Sequence, residues 1–363
     1  MDIVEATHRF ESWLRRHIKV VERDLDYKHE QMRADPFLFF RATFYRWAQL
    51  WPKCCPKLAR TPEVLSVGDL HIENFGTWRD AEGRLVWGVN DFDEAHPMAY
   101  ANDLVRLAVS ALLAAEGSPH FKLKPREICF RILQGYRAQL EQGGEPFVLM
   151  EAHPKLRDMA LQDLRRPIEF WSRVEEKTVP LKKAPPASFR KAIAKILPRG
   201  AEPEYRLLKA PKGLGSLGRQ RCLALVDWQG GKMAREGKSV VASACIWAAG
   251  KGEHASEGNP WLEKIVRSAV RCADPYYEVR RGWLVRRLGP DCSRIDIDQL
   301  VHHSDLASLL HCMGQETANI HLGTPKARKR ILESLSRLPS GWLLVAAKVM
   351  FKASLKDWNK FRV

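Results

Sequence analysis

The sequence predicts an α+β protein of two lobes, a helical lobe that comes first and a small antiparallel β lobe that comes later. Three observations carry this reading. Apolar residues recur at helical spacing near both ends, as in Ile3, Phe10, Trp13, Leu14 and Ile18, and again in Leu306, Leu309, Leu310 and Met313. β-favouring runs bounded by turn residues form two separate blocks, at 64–89 and 205–288. Between them, 154–203 is rich in Lys, Arg and Pro and reads as a connector. The expected organisation is 1–153 for the helical region with its loops, 154–203 for the connector, 204–292 for the β region, and 293–363 for helices that complete the helical lobe.

Taken in order, residues 3 to 33 read as one or two helices stopped by Asp35-Pro36. The aromatic-rich run Phe37 to Trp47 reads as a buried helix, within which Arg41 is a candidate phosphate or carboxylate clamp. A proline-rich connector spans Pro52 to Pro62. Val64-Leu65-Ser66-Val67 and Leu85-Val86-Trp87-Gly88-Val89 are strand-like. Asp103 opens a helix through Leu104, Leu107, Ala108, Ala111, Leu112 and Ala115, and residues 125 to 142 form another that Gly143-Gly144 ends.

From Tyr205 the chain is strand-like up to Lys212-Gly213-Leu214-Gly215-Ser216-Leu217-Gly218-Arg219, followed by Cys222 to Val226 and a turn at Gln229-Gly230-Gly231. Trp261 to Cys272 reads as a helix, and Tyr276 to Val279 and Trp283 to Leu288 as two strands around Arg281-Gly282. Leu306 to Ile320 line a helix ending at His321-Leu322-Gly323, and Lys326 to Val363 form a final helix pair.

Composition narrows the class. A chain of 363 residues that is 45% hydrophobic, with 12 Trp, has the means to bury a large core, which excludes disorder. The formal net charge of +16 fits nucleic acid, anionic lipid or a nucleotide-phosphate site, and does not choose among them. The 8 Cys are scattered with no C-x-x-C pair, which argues against a zinc ribbon or a disulfide framework. The first residues lack the basic-then-apolar order of a signal peptide and no run reaches the length of a membrane span, so a cytoplasmic protein without membrane contact is expected.

The chemistry-bearing residues sit in two short runs, Gly68-Asp69-Leu70-His71-Ile72-Glu73-Asn74-Phe75-Gly76 and Val89-Asn90-Asp91-Phe92-Asp93-Glu94. Phosphoryl transfer needs a carboxylate to accept the attacking hydroxyl's proton, and an amide plus a second carboxylate to hold Mg²⁺ against phosphates. A glycine segment joining two strands lets backbone N–H groups approach phosphate oxygens, and no helix follows the last glycine as a dinucleotide fingerprint would require. Its candidate contacts are Gly213, Gly215, Ser216 and Gly218. The cation for the phosphates is sought in Gly231 to Lys238, where Arg235 and Lys238 are the alternatives, with Glu263 as the candidate acid partner.

The pattern Asp-x-x-x-x-Asn followed by Asp-Phe-Asp resembles the catalytic and metal loops of the protein-kinase-like superfamily, its aminoglycoside and choline phosphotransferase branch above all. The span from Asp35-Pro36-Phe37 through Gly68-Asp69 to Asn90-Asp91-Phe92-Asp93-Glu94 and Asp103-Leu104-Val105-Arg106-Leu107, together with Gly213-Leu214-Gly215-Ser216-Leu217-Gly218, resembles the bacterial DUF2252 family. The resemblance implies Asp69 as base, Asn74 and Asp91 as Mg²⁺ ligands, Asp93 as an auxiliary acid of the same metal set, and Asp103 as a brace beneath the catalytic loop. The place two residues before the base, usually His in the phosphotransferases, is Val67 here. The segments come in the order catalytic loop, metal loop, glycine flap, hinge and pre-catalytic helix, so the kinase order is circularly permuted. The expected function is ATP- and Mg²⁺-dependent phosphoryl transfer to an unassigned, small hydroxyl acceptor, or AMP transfer by the same parts. The alternatives are a nucleotide-binding pseudokinase or scaffold, and an RNA-associated protein. The last rests on charge alone, because the basic stretch carries neither interleaved aromatics nor a nucleic-acid motif.

Overall fold

The computed structural model describes residues 1–149, 152–163, 166–208, 214–251, 258–295, 297, 300 and 302–363. Asp2 caps α1 (Ile3–His17) by accepting the Glu5 N–H at 2.9 Å, and α2 (Glu22–Ala34) follows. Asp35 stops α2 and at once caps α3 (Pro36–Ala42), accepting the Leu38 N–H at 2.7 Å with Pro36 in the first turn. Thr43 separates α3 from α4 (Phe44–Cys54), so the aromatic run expected as one helix is two. Pro52 lies inside α4, near its end, so the proline-rich connector starts only after Cys54.

Four strands follow: β1 (Glu63–Ser66), β2 (Phe75–Arg79), β3 (Leu85–Val89) and β4 (His96–Ala99). β1 pairs with β4 and β2 with β3, both antiparallel, so the two strand-like runs expected around the loops belong to different sheets. α5 (Ala101–Gly117) comes next, then α6 (Pro125–Gln142), which Gly143 ends in the left-handed region at φ +100°, and β5 (Phe147–Val148), which joins β3.

The stretch expected as a connector is folded. It holds α7 (Pro154–Asp163), α8 (Pro167–Glu176), β6 (Thr178–Pro180) and α9 (Ala187–Ile193). β6 is the edge of a six-stranded antiparallel sheet with β7 (Glu204–Leu208), β8 (Arg221–Trp228), β9 (Gly231–Ser239), β10 (Glu278–Arg280) and β11 (Trp283–Leu288), in the order β10-β11-β9-β8-β7-β6. Helices cover both faces. Phe189 of α9 meets Trp283 edge-on at 5.1 Å between ring centroids and lies where a side chain at Gly237 would be. On the other face Trp171 and Val174 of α8 pack against Leu223, Leu225 and Ala234. α10 (Ala244–Ala248) and α11 (Pro260–Ser268) connect β9 to β10.

The chain then returns to the helical lobe with α12 (His303–Leu322), α13 (Ala327–Arg337) and α14 (Trp342–Phe361). α12 crosses α6 at backbone contact, because a Cβ at Gly135 or Gly314 would strike a carbonyl of the facing helix. The centre of this lobe is α5, buried from Ala101 to Leu113. Leu104, Val105, Leu107 and Leu112 each add roughly 1.5–3 kcal/mol of apolar burial, which offsets the cost of the polar residues that this helix also carries inside. The architecture is α+β, with antiparallel sheets and a helix packed on each face of the larger one. Among the described residues no helix is long and apolar enough to cross a membrane.

Candidate functional site

The loop after β1 is held down by one face of α5. Asp103 accepts the Val67 N–H at 2.7 Å and the Gly68 N–H at 3.1 Å, Arg106 donates to Asp69 Oδ1 at 2.5 and 2.9 Å, and Ser110 accepts the Ile72 N–H at 3.1 Å. Positions i, i+3 and i+7 share a helix face, so three polar residues in an apolar helix become three anchor points for one loop. His321, at the end of α12, places Nε2 3.1 Å from Asp103 Oδ2, and the Tyr136 hydroxyl lies 2.8 Å from His321 Nδ1. Gly68 has φ +81° and no room for a Cβ against the Glu94 carbonyl, so this turn requires glycine. Burial raises the Asp69 carboxyl above its ordinary range, and the Arg106 guanidinium opposes that rise.

Asn74 donates its amide to the Asp69 carbonyl at 2.6 Å, and the Asn90 N–H binds the Asn74 carbonyl at 2.9 Å, so the two loops share a backbone. The amide nitrogen being engaged, the Asn74 side-chain oxygen is the group available for a cation. Lys238 of β9 reaches across to Asp93 at 2.5 Å and to Asp91 at 3.5 Å. Arg219 adds a second bridge, 3.1 Å to Asp93 and 3.2 Å to Glu94. Burial alone would raise the Asp91 carboxyl, yet Lys238, Arg286 and Arg221 hold it down at about 2, so it stays anionic. Two carboxylates and an amide oxygen are hard donors of the kind Mg²⁺ takes, with room for phosphate oxygens and water. Among the described residues no three His, Cys, Asp or Glu side chains are grouped to hold a metal by themselves.

The glycine segment arrives over this site. Gly213 lies outside the described residues. At Gly215 a Cβ would stand 3.3 Å from Asp69 Oδ2, so the segment rests on the candidate base. Ser216 bonds Arg221, and Gly218, at φ +93°, seats its carbonyl on the Val21 N–H at 2.8 Å, so Gly218 docks the segment onto α2. Strand alternation separates the two candidate cations. Lys238 and Glu236 share the cleft face, where Glu236 lies 2.7 Å from Arg286, whereas Arg235 points the other way, over the Tyr276 ring at 4.1 Å. Arg235 is therefore corrected as a phosphate contact. Glu263 is corrected too: it is half-exposed on α11, 3.4 Å from Arg267. Lys238 pairs with Asp93 and Asp91.

Between the lobes runs a cleft of about 1640 Å³, lined by Asn74 and Asp91 on one side and by Arg221, Glu236, Lys238 and Arg286 on the other. A cavity of about 50 Å³ beneath the glycine segment is lined by Asp69, Asn74, Asp91 and Asp93. Two members of the site lie beyond the sequence reading. Arg106 had a signal, a lone cation inside an otherwise apolar helix; Arg219, next to Gly218, had none beyond its place.

The fold and site together define an α+β protein with a polar, ion-paired cleft between its six-stranded sheet and the loops that α5 anchors. Residues 19–169 match the DUF2252 family, described as an uncharacterized protein conserved in bacteria. That span contains Asp69, Asn74, Asp91, Asp93 and Arg106 and ends before the glycine segment and Lys238. Comparison with curated proteins and with solved structures finds no match.

Proposed function

We propose that this chain is an ATP- and Mg²⁺-dependent phosphotransferase of the protein-kinase-like type, with its segments circularly permuted, acting on a small hydroxyl acceptor. The observation that carries the reading is the meeting of three distant segments: Gly215 on Asp69, and Lys238 on Asp91 and Asp93. Kinase-type small lobes put a glycine loop between the first two strands and the phosphate-binding lysine on the third. Counted from β7, the glycine segment and Lys238 hold those places.

In this reading Asn74 and Asp91 hold the metal and Lys238 moves from its carboxylates to the nucleotide phosphates. Bound Mg²⁺ would neutralise phosphate charge as the transfer proceeds. Arg106 fixes Asp69 through Oδ1, which leaves Oδ2 to accept the acceptor's proton while its oxygen bonds to the γ-phosphorus and the bond to the β-phosphate oxygen breaks, releasing ADP. The glycine segment has to lift from Asp69 for the acceptor to reach it. Screening hydroxyl compounds for acceptor-dependent ATP consumption tests this: Asp69→Asn should lower turnover by about 10²–10⁴-fold and leave Mg·ATP binding intact. AMP transfer with a reversed nucleotide would release pyrophosphate in place of ADP.

A second reading, nucleotide binding without catalysis, is favoured by the same Asp69 contacts, since one oxygen is tied to Arg106 and the other is covered by Gly215. Mg·ATP binding with no turnover on any acceptor is its signature.

A further inference from the structure

One part of the site serves neither nucleotide nor metal in the proposed reaction. Arg41 of α3 and Arg294, in the segment after β11, both bind a single oxygen of Glu73, at 2.5 and 2.8 Å. Glu73 immediately precedes Asn74. Two guanidiniums on one carboxylate leave one positive charge over. Arg41 is buried, at 8% exposure, so its charge gets little help from water. The nearest other anions have cations of their own, Asp69 in Arg106 and Asp91 in Lys238, and burial together with Arg41 presses His71 toward its neutral form.

Location gives the surplus charge a meaning. Arg41 lines both the large cleft and the small cavity that contains Asp69, as Asn74 and Asp91 do, so it stands on the wall the two share. Arg294 lines the cleft beside it, and Arg173 and Lys177, at the end of α8, contribute positive charge to the same cleft. We infer that Arg41 and Arg294 form the binding site for an anionic group, a phosphate or a carboxylate, carried by the acceptor. Two forked donors suit the several oxygens of such a group. An anion held there joins or displaces Glu73 and puts the rest of the acceptor at the mouth of the Asp69 cavity. The inference rests on the phosphotransferase reading for the word acceptor, but the anion site itself does not.

The same chemistry could come from the nucleotide's own phosphates, and the test separates the two sources. Inorganic phosphate is titrated by calorimetry into the wild-type protein, Arg294→Gln, and a control, Lys191→Gln on the exposed side of α9, each with and without saturating Mg·ATP. Arg294 is half-exposed, so its replacement leaves the fold intact. The expected result is phosphate binding that persists in the Mg·ATP-loaded protein, weakens at least tenfold in Arg294→Gln, and is unchanged in Lys191→Gln. Competition between phosphate and Mg·ATP assigns the arginines to the nucleotide and overturns the inference. So does equal binding by wild type and Arg294→Gln. Absence of any Mg·ATP binding is a failure of the phosphotransferase reading, and the comparison of the two variants then decides the anion site alone.

Discussion

Lys238 Nζ lies 2.5 Å from Asp93 Oδ2, and this ion pair ties the six-stranded sheet to the loop that follows β3. Both partners are nearly buried, and Arg219 holds the same Asp93 oxygen at 3.1 Å. The carboxylate therefore keeps a cation if the lysine is removed. Lys238→Met should retain the fold while weakening Mg·ATP binding at least tenfold, about 1.4 kcal/mol. Calorimetric titration with Mg·ATP checks this, with Arg235→Met as the comparison that should bind as wild type.

Arg106 is fully buried, and its guanidinium also lies 4.1 Å from the centre of the Phe40 ring. Removing it strands the Asp69 carboxylate without its partner. Arg106→Met should destabilise the protein by about 3–5 kcal/mol, measured by urea unfolding at pH 7. Asp69→Asn in that background should recover part of the loss, because the remaining group is then uncharged.

Glu316 of α12 accepts the Val89 N–H at 3.1 Å, and burial, opposed by Arg271, raises its carboxyl to about 7. The folded state thus keeps a proton at pH values where the unfolded chain has released it. Its contribution to stability is greatest below the ordinary 4.5 and declines as pH rises toward 7. Relative to wild type, Glu316→Gln should gain stability across that window, on the order of 3 kcal/mol, and the difference should level off above it. Urea unfolding at pH 5, 6, 7 and 8 measures the difference, and a constant gap would reject the assignment.

Local signals made much of this architecture legible. α6 and its end at Gly143, α12 and its end at Leu322-Gly323, and the closing helix pair follow from apolar spacing and glycine. The loops with Asp69, Asn74 and Asp91 were legible because residue type and spacing survive without knowledge of the fold. The elements within 154–203 are not legible in the sequence, because β6 has three residues and is defined by its pairing with β7, which composition does not encode. Arg235 was carried beside Lys238, although alternation along a strand puts Glu236 and Lys238 on one face and Arg235 on the other. Glu263 and Arg219 depend on which distant segments meet, and no local pattern reports that.

The central claim is that Asn74 and Asp91 hold a metal against nucleotide phosphates in the cleft. Thermal unfolding with and without Mg·ATP tests it most directly, since a ligand bound only by the folded state stabilises it by about 2.7 kcal/mol at a hundredfold excess over Kd. The account predicts a rise in Tm of several degrees in the wild type that is lost in Asp91→Ala. An unchanged wild-type Tm, or an equal rise in Asp91→Ala, would contradict it.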